Sequence, residues 1–318
     1  MHVKNKQLWD SFHRYHKSCW TAAVLAFSFL AATGVLLSFR CKSWTPRNVN
    51  VAFVGNSFQY VNDLPRFLEA LSGGKIQQDS CLHGALNLET ISLKGNGMYK
   101  TWKTESAFIE EYGVYDYGAC TVVQLMLGSD SNLTLGNQNG YYKVDGRNPC
   151  FRNEDYYSYR QSNSSRRKWD FLVLNDQSAR PAFPVKRKIS AKALQNRYLP
   201  LLLETGATPI LMMTYGYWRD DVNMSSLVDV PTFTKRLYKG YQLYWIVLKE
   251  SLPPSQTPRI APVGLVFLVL WEENRSMWSR LFFVDKYHPS PLGTYLIGRS
   301  TRNCDAQSVN EAAKRTSF

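Results

Sequence analysis

Val49-Asn50-Val51-Ala52-Phe53-Val54 runs without a break into Gly55-Asn56-Ser57, and a polar stretch then leads to the helical pattern Leu64–Leu71. The first six residues read as a buried strand, since apolar side chains fill all but one position. Glycine lets the chain turn sharply at 55, and strand, tight turn, helix is the opening of an α/β fold. The alternation continues downstream. Residues 169–174 (WDFLVL) form a second strand ending at Asn175-Asp176-Gln177-Ser178, residues 190–204 a helix closed by Gly206, and residues 209–214 (PILMMT) a third strand ending at Tyr215-Gly216. Residues 232–252 form a long helix stopped by Pro253-Pro254, and the apolar run 259–270 contains a further strand. Such an order predicts a mostly parallel sheet covered on both faces. Ligands sit beyond the carboxyl ends of the strands in these sheets, so the polar sequences after the strands should gather on one edge.

The N-terminal region sets the compartment. Residues 20–39 (WTAAVLAFSFLAATGVLLSF) carry no charge, and at about 1.5 Å per residue they are long enough to cross a hydrocarbon core of roughly 30 Å. The expected organisation is a cytosolic tail over 1–19, a transmembrane signal anchor over 20–39, a linker over 40–48, an α/β domain over 49–298, and a polar tail over 299–318. A polar Tyr-, Asn-, Gly- and Ser-rich insertion is expected over 129–168. Four glycosylation acceptor patterns begin at Asn132, Asn163, Asn223 and Asn274, all after the apolar segment and none before it. They imply a luminal body and a type II membrane protein of the secretory pathway, in the Golgi or endoplasmic reticulum. Cleavage near Ala31-Ala32-Thr33-Gly34 would instead release it. Cys41, Cys81, Cys120, Cys150 and Cys304 follow the anchor core; some would pair in an oxidising lumen, and the odd number leaves one over.

The net charge of +13 by itself suggests a polyanionic partner. The basic residues look scattered, with short clusters at Arg166-Arg167-Lys168 and Lys186-Arg187-Lys188, no helical basic stripe and no nucleic-acid motif. They read as a solvated basic surface, with no nucleic acid as partner. No Cys/His ligand cluster appears, so neither a metal nor another cofactor is expected.

Of five histidines, His2, His13 and His16 precede the anchor, which leaves His83 and His288 in the body. A serine hydroxyl is a poor nucleophile near neutral pH and needs an imidazole base, which in turn needs an orienting acceptor. Asp285-Lys286-Tyr287-His288 supplies carboxylate and imidazole at a spacing that fits one turn. Asp79 is the nearest carboxylate before His83, whose surroundings read as a loop. Ser57, at the carboxyl end of the first strand, is the candidate nucleophile; its plain structural role would be to cap the helix that follows.

Val51–Phe58 with Asn62-Asp63-Leu64-Pro65 resembles the first block of the SGNH/GDSL serine hydrolases, nearest to a subgroup that carries Gly-Asn-Ser for the usual Gly-Asp-Ser. Residues 169–178 with Pro181 resemble the third block. Ala261-Pro262-Val263-Gly264 and Asp285–Ser290 with Gly293-Thr294-Tyr295-Leu296 resemble the closing region, so the similarity spans roughly residues 49–297. It implies a three-layer α/β/α sandwich with a flavodoxin-like sheet and a catalytic triad of Ser57, Asp285 and His288. It also implies an oxyanion hole of the Ser57 N–H, a glycine N–H (Gly95, alternatively Gly97) and a side-chain amide (Gln177, alternatively Asn175). The usual third-block Gly-x-Asn-Asp is absent, and the chain turns polar after Gly298. The implied activity is a luminal esterase removing acyl groups, acetyl foremost, from carbohydrate or a small ester. The alternatives are a glycan O-acyltransferase using the same triad, or an inactive glycan-binding or scaffold relative.

Overall fold

The computed structural model describes residues 48–95, 121–127, 169–217 and 229–302. The expected tail and anchor, the linker as far as residue 47, the insertion and Gly97 lie outside them, as do Asn132, Asn163 and Asn223 and every post-anchor cysteine except Cys81. No helix among the described residues is long and apolar enough to cross a membrane.

Five strands, β1 (Val49–Gly55), β2 (Ile76–Leu82), β3 (Phe171–Leu174), β4 (Thr208–Met212) and β5 (Arg259–Ala261), form one sheet in the order β2-β1-β3-β4-β5. Every pairing is parallel. Central parallel strands are buried on both faces, which is why β1 is apolar rather than alternating. The order 2-1-3-4-5 reverses direction between β1 and β3, and the crevice at such a switch point is where doubly wound sheets place ligands. Ser57 follows β1 and Asn175 follows β3, so the sequences singled out above flank that crevice.

The helices on one side are α1 (Ser57–Tyr60), a single turn, α2 (Leu64–Leu71) and the closing α10 (Pro291–Arg302), which packs on α2. On the other side lie α3 (Leu88–Lys94), α4 (Val122–Leu127), α5 (Pro184–Ala193), α6 (Leu199–Thr205) and α7 (Val230–Lys249). After β5 come α8 (Val263–Glu273) and α9 (Arg275–Ser279). Local chemistry sets these boundaries. Asp229 caps α7 by accepting from Thr232 N–H at 2.6 Å, and Gly206 ends α6 in the left-handed conformation. A single π turn, Leu194–Tyr198, joins α5 to α6.

Several expectations shift. The helix expected over 190–204 begins six residues earlier, because Pro184 suits a first-turn position. The run 259–270 holds only a three-residue strand, and the rest is α8; an unbroken apolar run has no period to tell strand from helix. Strand β2 (IQQDSCL) was not foreseen, since its buried side chains include Gln78, Asp79 and Ser80. The expected end of the domain at 298 falls inside α10, which runs to Arg302 with Thr301 buried.

The basic residues that the structure describes are unevenly spread. Among the described residues there are nineteen Lys and Arg and twelve Asp and Glu. Helices α5 and α7, which pack on each other, carry eight of the basic residues and no acidic one, so the rest nets −1.

Candidate active site

Ser57 is the first residue of α1, buried at 7% exposure. Asn56 fixes that position. Its side-chain oxygen accepts from Phe58 N–H at 3.2 Å and from Asn175 Nδ2 at 2.9 Å, while its own Nδ2 donates to Leu86 O and to Asp176 O. Asn175 returns the pairing by accepting Asn56 N–H at 3.2 Å. This buried amide pair locks the β1 and β3 ends across the switch point. Gly55 is required here by close approach, since a Cβ would run into the Asn175 amide.

Asp285 and His288 lie on a tight turn. Phe283 N–H donates to His288 O, Ser290 N–H donates to Leu281 O, and Lys286 takes a positive φ of 56°. One Asp285 oxygen accepts both Tyr287 N–H and His288 N–H at 2.9 Å, and the other meets His288 Nδ1 at 2.6 Å. Partial burial alone would raise the Asp285 carboxyl, but the His288 ring and these two N–H groups outweigh it and hold it below its usual value. With a proton on Nδ1 shared with that carboxylate, the Nε2 lone pair is left to act as a base.

The turn is held against the helix that begins at Ser57. The Phe58 ring stacks on Tyr215 at 4.8 Å, lies 5.0 Å from the Tyr287 ring and meets the His288 ring edge-on at 6.2 Å. Asn62, at φ 62°, donates from Nδ2 to Pro289 O at 2.7 Å and to Thr294 Oγ1 at 2.9 Å. Tyr215 Oη donates to Tyr287 O at 3.2 Å. Hydroxyl and imidazole therefore come from opposite ends of the domain to the same edge of the sheet.

The oxyanion candidates separate. The Gly95 N–H donates to Ile91 O at 2.9 Å and closes α3, so the donor that the expected role needs is engaged. Gly97 lies outside the described residues. The Asn175 amide is spent on Asn56 Oδ1 and Asp176 O, which sets aside that alternative. Gln177, half-buried one step further on, makes no side-chain hydrogen bond to a described residue.

Behind the site lies a group that sequence reasoning missed. Asp176, fully buried, accepts from Tyr244 Oη at 2.7 Å, from Gln177 N–H at 2.8 Å and from Leu88 N–H at 3.2 Å, and its N–H donates to Tyr241 Oη. Burial outweighs these donors and holds its carboxyl above the usual carboxylate range. His83 is not on a loop tip: it directly follows β2, its N–H donates to Gly55 O, and its Nδ1 lies 3.0 Å from Gly84 O. Burial lowers its pKa and favours the neutral ring. Cys81 is a buried thiol whose ionisation burial pushes up. Asn274 is exposed and caps α9 through its side-chain oxygen, accepting Met277 N–H at 2.9 Å.

No protein-family model and no curated protein matches the chain. Solved structures similar to it include a candidate SGNH hydrolase from Slackia heliotrinireducens, at 15% identity and a TM-score of 0.45, covering 80% of this chain and 98% of that one. A DUF4886 family protein from Bacteroides uniformis is 12% identical at a TM-score of 0.48, covering 85% and 93%. A protein from Streptococcus pneumonia described as a candidate platelet activating factor is 11% identical at a TM-score of 0.40, covering 88% and 96%. Likenesses this distant leave the chemistry of the site to its own residues.

Proposed function

We propose that the chain is a serine esterase in which Ser57 is the nucleophile, His288 the general base and Asp285 its orienting acid. One observation carries this reading: a carboxylate 2.6 Å from an imidazole, on a turn packed against the helix that starts with a serine. A scaffold has no need to hold an imidazole in one tautomer, whereas a base must be held so.

Ser57 Oγ attacks the ester carbonyl carbon while its proton passes to His288 Nε2. The tetrahedral species collapses, the alcohol leaves with the proton from Nε2, and Ser57 carries the acyl group. Water, deprotonated by the same nitrogen, then releases the acid. The Ser57 N–H and the Gln177 amide are the donors offered to the oxyanion. Buried Phe58 at the edge of the imidazole, with buried Tyr215 stacked on it, lowers the local dielectric, which strengthens those interactions.

The substrate class is an acylated carbohydrate or small ester, acetyl esters foremost, and the site faces the lumen of the secretory pathway. The uncharged segment 20–39 and the acceptor asparagines, all beyond it, support that placement. The test is turnover of p-nitrophenyl acetate by the full chain, compared with Ser57→Ala and His288→Ala. Activity that disappears in both variants supports the esterase; equal rates in all three remove it.

A further inference from the structure

Helices α5 and α7 both start at the carboxyl edge of the sheet, where Ser57 and His288 lie, and run away from it. Lys186, Lys188 and Lys192 on α5 and Lys239 and Lys249 on α7 are exposed. Neither helix contains an Asp or Glu within its bounds; Asp229 caps the start of α7 and exposed Glu250 follows Lys249 at its end. Two of these ammonium groups lie over aromatic rings, Lys186 over Phe183 at 5.0 Å and Lys249 over Trp245 at 4.5 Å. The 20 residues of α7 extend about 30 Å at about 1.5 Å each. Positive charge is thus distributed along two packed helices whose first turns lie at the site edge. A small anion would need a compact pocket, whereas separated like charges along two helices match a polymer with repeated negative charges. Lys residues serve here as hydrated point charges, without the planar fork that reads one fixed carboxylate.

We infer that this face binds an anionic polysaccharide, sulfated or uronate-bearing, and delivers its ester groups to the site. The delivery rests on the esterase reading; the binding does not. The same face also exposes Val185 at 73% and Ile189 at 40%, so an anionic lipid surface is the competing occupant. Continuity with the site edge favours the polysaccharide.

The experiment uses the full chain with heparin, with dextran as the neutral control, and with vesicles of phosphatidylserine or phosphatidylcholine. Two charge reversals are compared: Lys188→Glu/Lys192→Glu on α5, and Lys75→Glu/Arg299→Glu, exposed on the α2/α10 side. The expected result is heparin binding without dextran binding, weakened about tenfold or more by the α5 pair, with the slope of log Kd against log salt reduced by about two. The second pair, which changes net charge equally, should shift Kd by less than about twofold, because exposed charges beyond about 10 Å are screened. Equal weakening by both pairs would show a net-charge effect and overturn the inference. So would preference for phosphatidylserine vesicles without heparin binding. Turnover of p-nitrophenyl acetate separates the two readings. Its absence in wild type, with heparin binding sensitive to the α5 pair, would sink the esterase and leave the surface standing. Normal turnover with heparin binding indifferent to that pair would do the reverse.

Discussion

Replacing Asn62 by glycine removes the amide that joins the nucleophile's helix to the histidine turn, while keeping a residue that tolerates its positive φ. Both amide hydrogens are used, on Pro289 O at 2.7 Å and Thr294 Oγ1 at 2.9 Å. Two hydrogen bonds contribute about 1 kcal/mol each, and Thr294, which is buried, loses a donor that water cannot readily replace. The expected loss is about 2–4 kcal/mol. For a domain of this size that lowers Tm by roughly 4–16 °C. Asn62→Ala should lose a further 1–2 kcal/mol or so, because an L side chain at φ 62° is strained without the local bonding that asparagine supplies. The effect on catalysis is separable. The Asp285–His288 pair is local to its turn and should survive, so the downfield N–H resonance of that hydrogen bond should be unchanged. Turnover should still fall by about 10²-fold with KM little changed, since a displacement of about 1 Å between reacting groups costs that much. A glycine variant with wild-type turnover and stability would refute the reasoning.

Gln177→Ala should lower kcat on p-nitrophenyl acetate by about 10²–10³ and leave folding intact, as expected for loss of one oxyanion donor; an unchanged kcat assigns that role elsewhere. Tyr244→Phe removes the 2.7 Å donor to buried Asp176 and should destabilise by about 1.5–3 kcal/mol in urea unfolding; no change would mean that water or another donor satisfies the carboxylate. His83, whose folded pKa lies below its ordinary 6.5, binds fewer protons folded than unfolded. Its contribution to stability is therefore complete above that value and declines as pH falls below it. The Tm of wild type should drop more between pH 7.5 and 5.5 than that of His83→Gln, and equal drops would contradict a buried neutral ring.

The parts of the fold legible in sequence were those with a local signal. β1 is an apolar run broken by glycine, α2 has a clean helical period between Asp63 and Ser72, and α7 sits between Asp229 and a proline pair. β2 was hidden because its buried positions are filled with Gln78, Asp79 and Ser80, polar groups that only the assembled sheet accommodates. α8 was hidden by its uniform apolarity. In the site, Asp285 and His288 were legible because three residues of chain suffice to join them. Asn62 was not, since its acceptors lie 227 and 232 residues away. The difference between Asn175 and Gln177 was not legible either, since it lies in Asn56, 119 residues away, which engages the first amide. The basic face needed the topology itself, because the charges of α5 and α7 come together only when the two helices pack.

The most direct test of the central claim is labelling of the full chain by a fluorophosphonate, read by peptide mass spectrometry. The adduct should fall on Ser57 Oγ alone and be lost in His288→Ala, whose serine lacks a base. Labelling of another serine, or undiminished labelling of Ser57 without His288, would contradict the account.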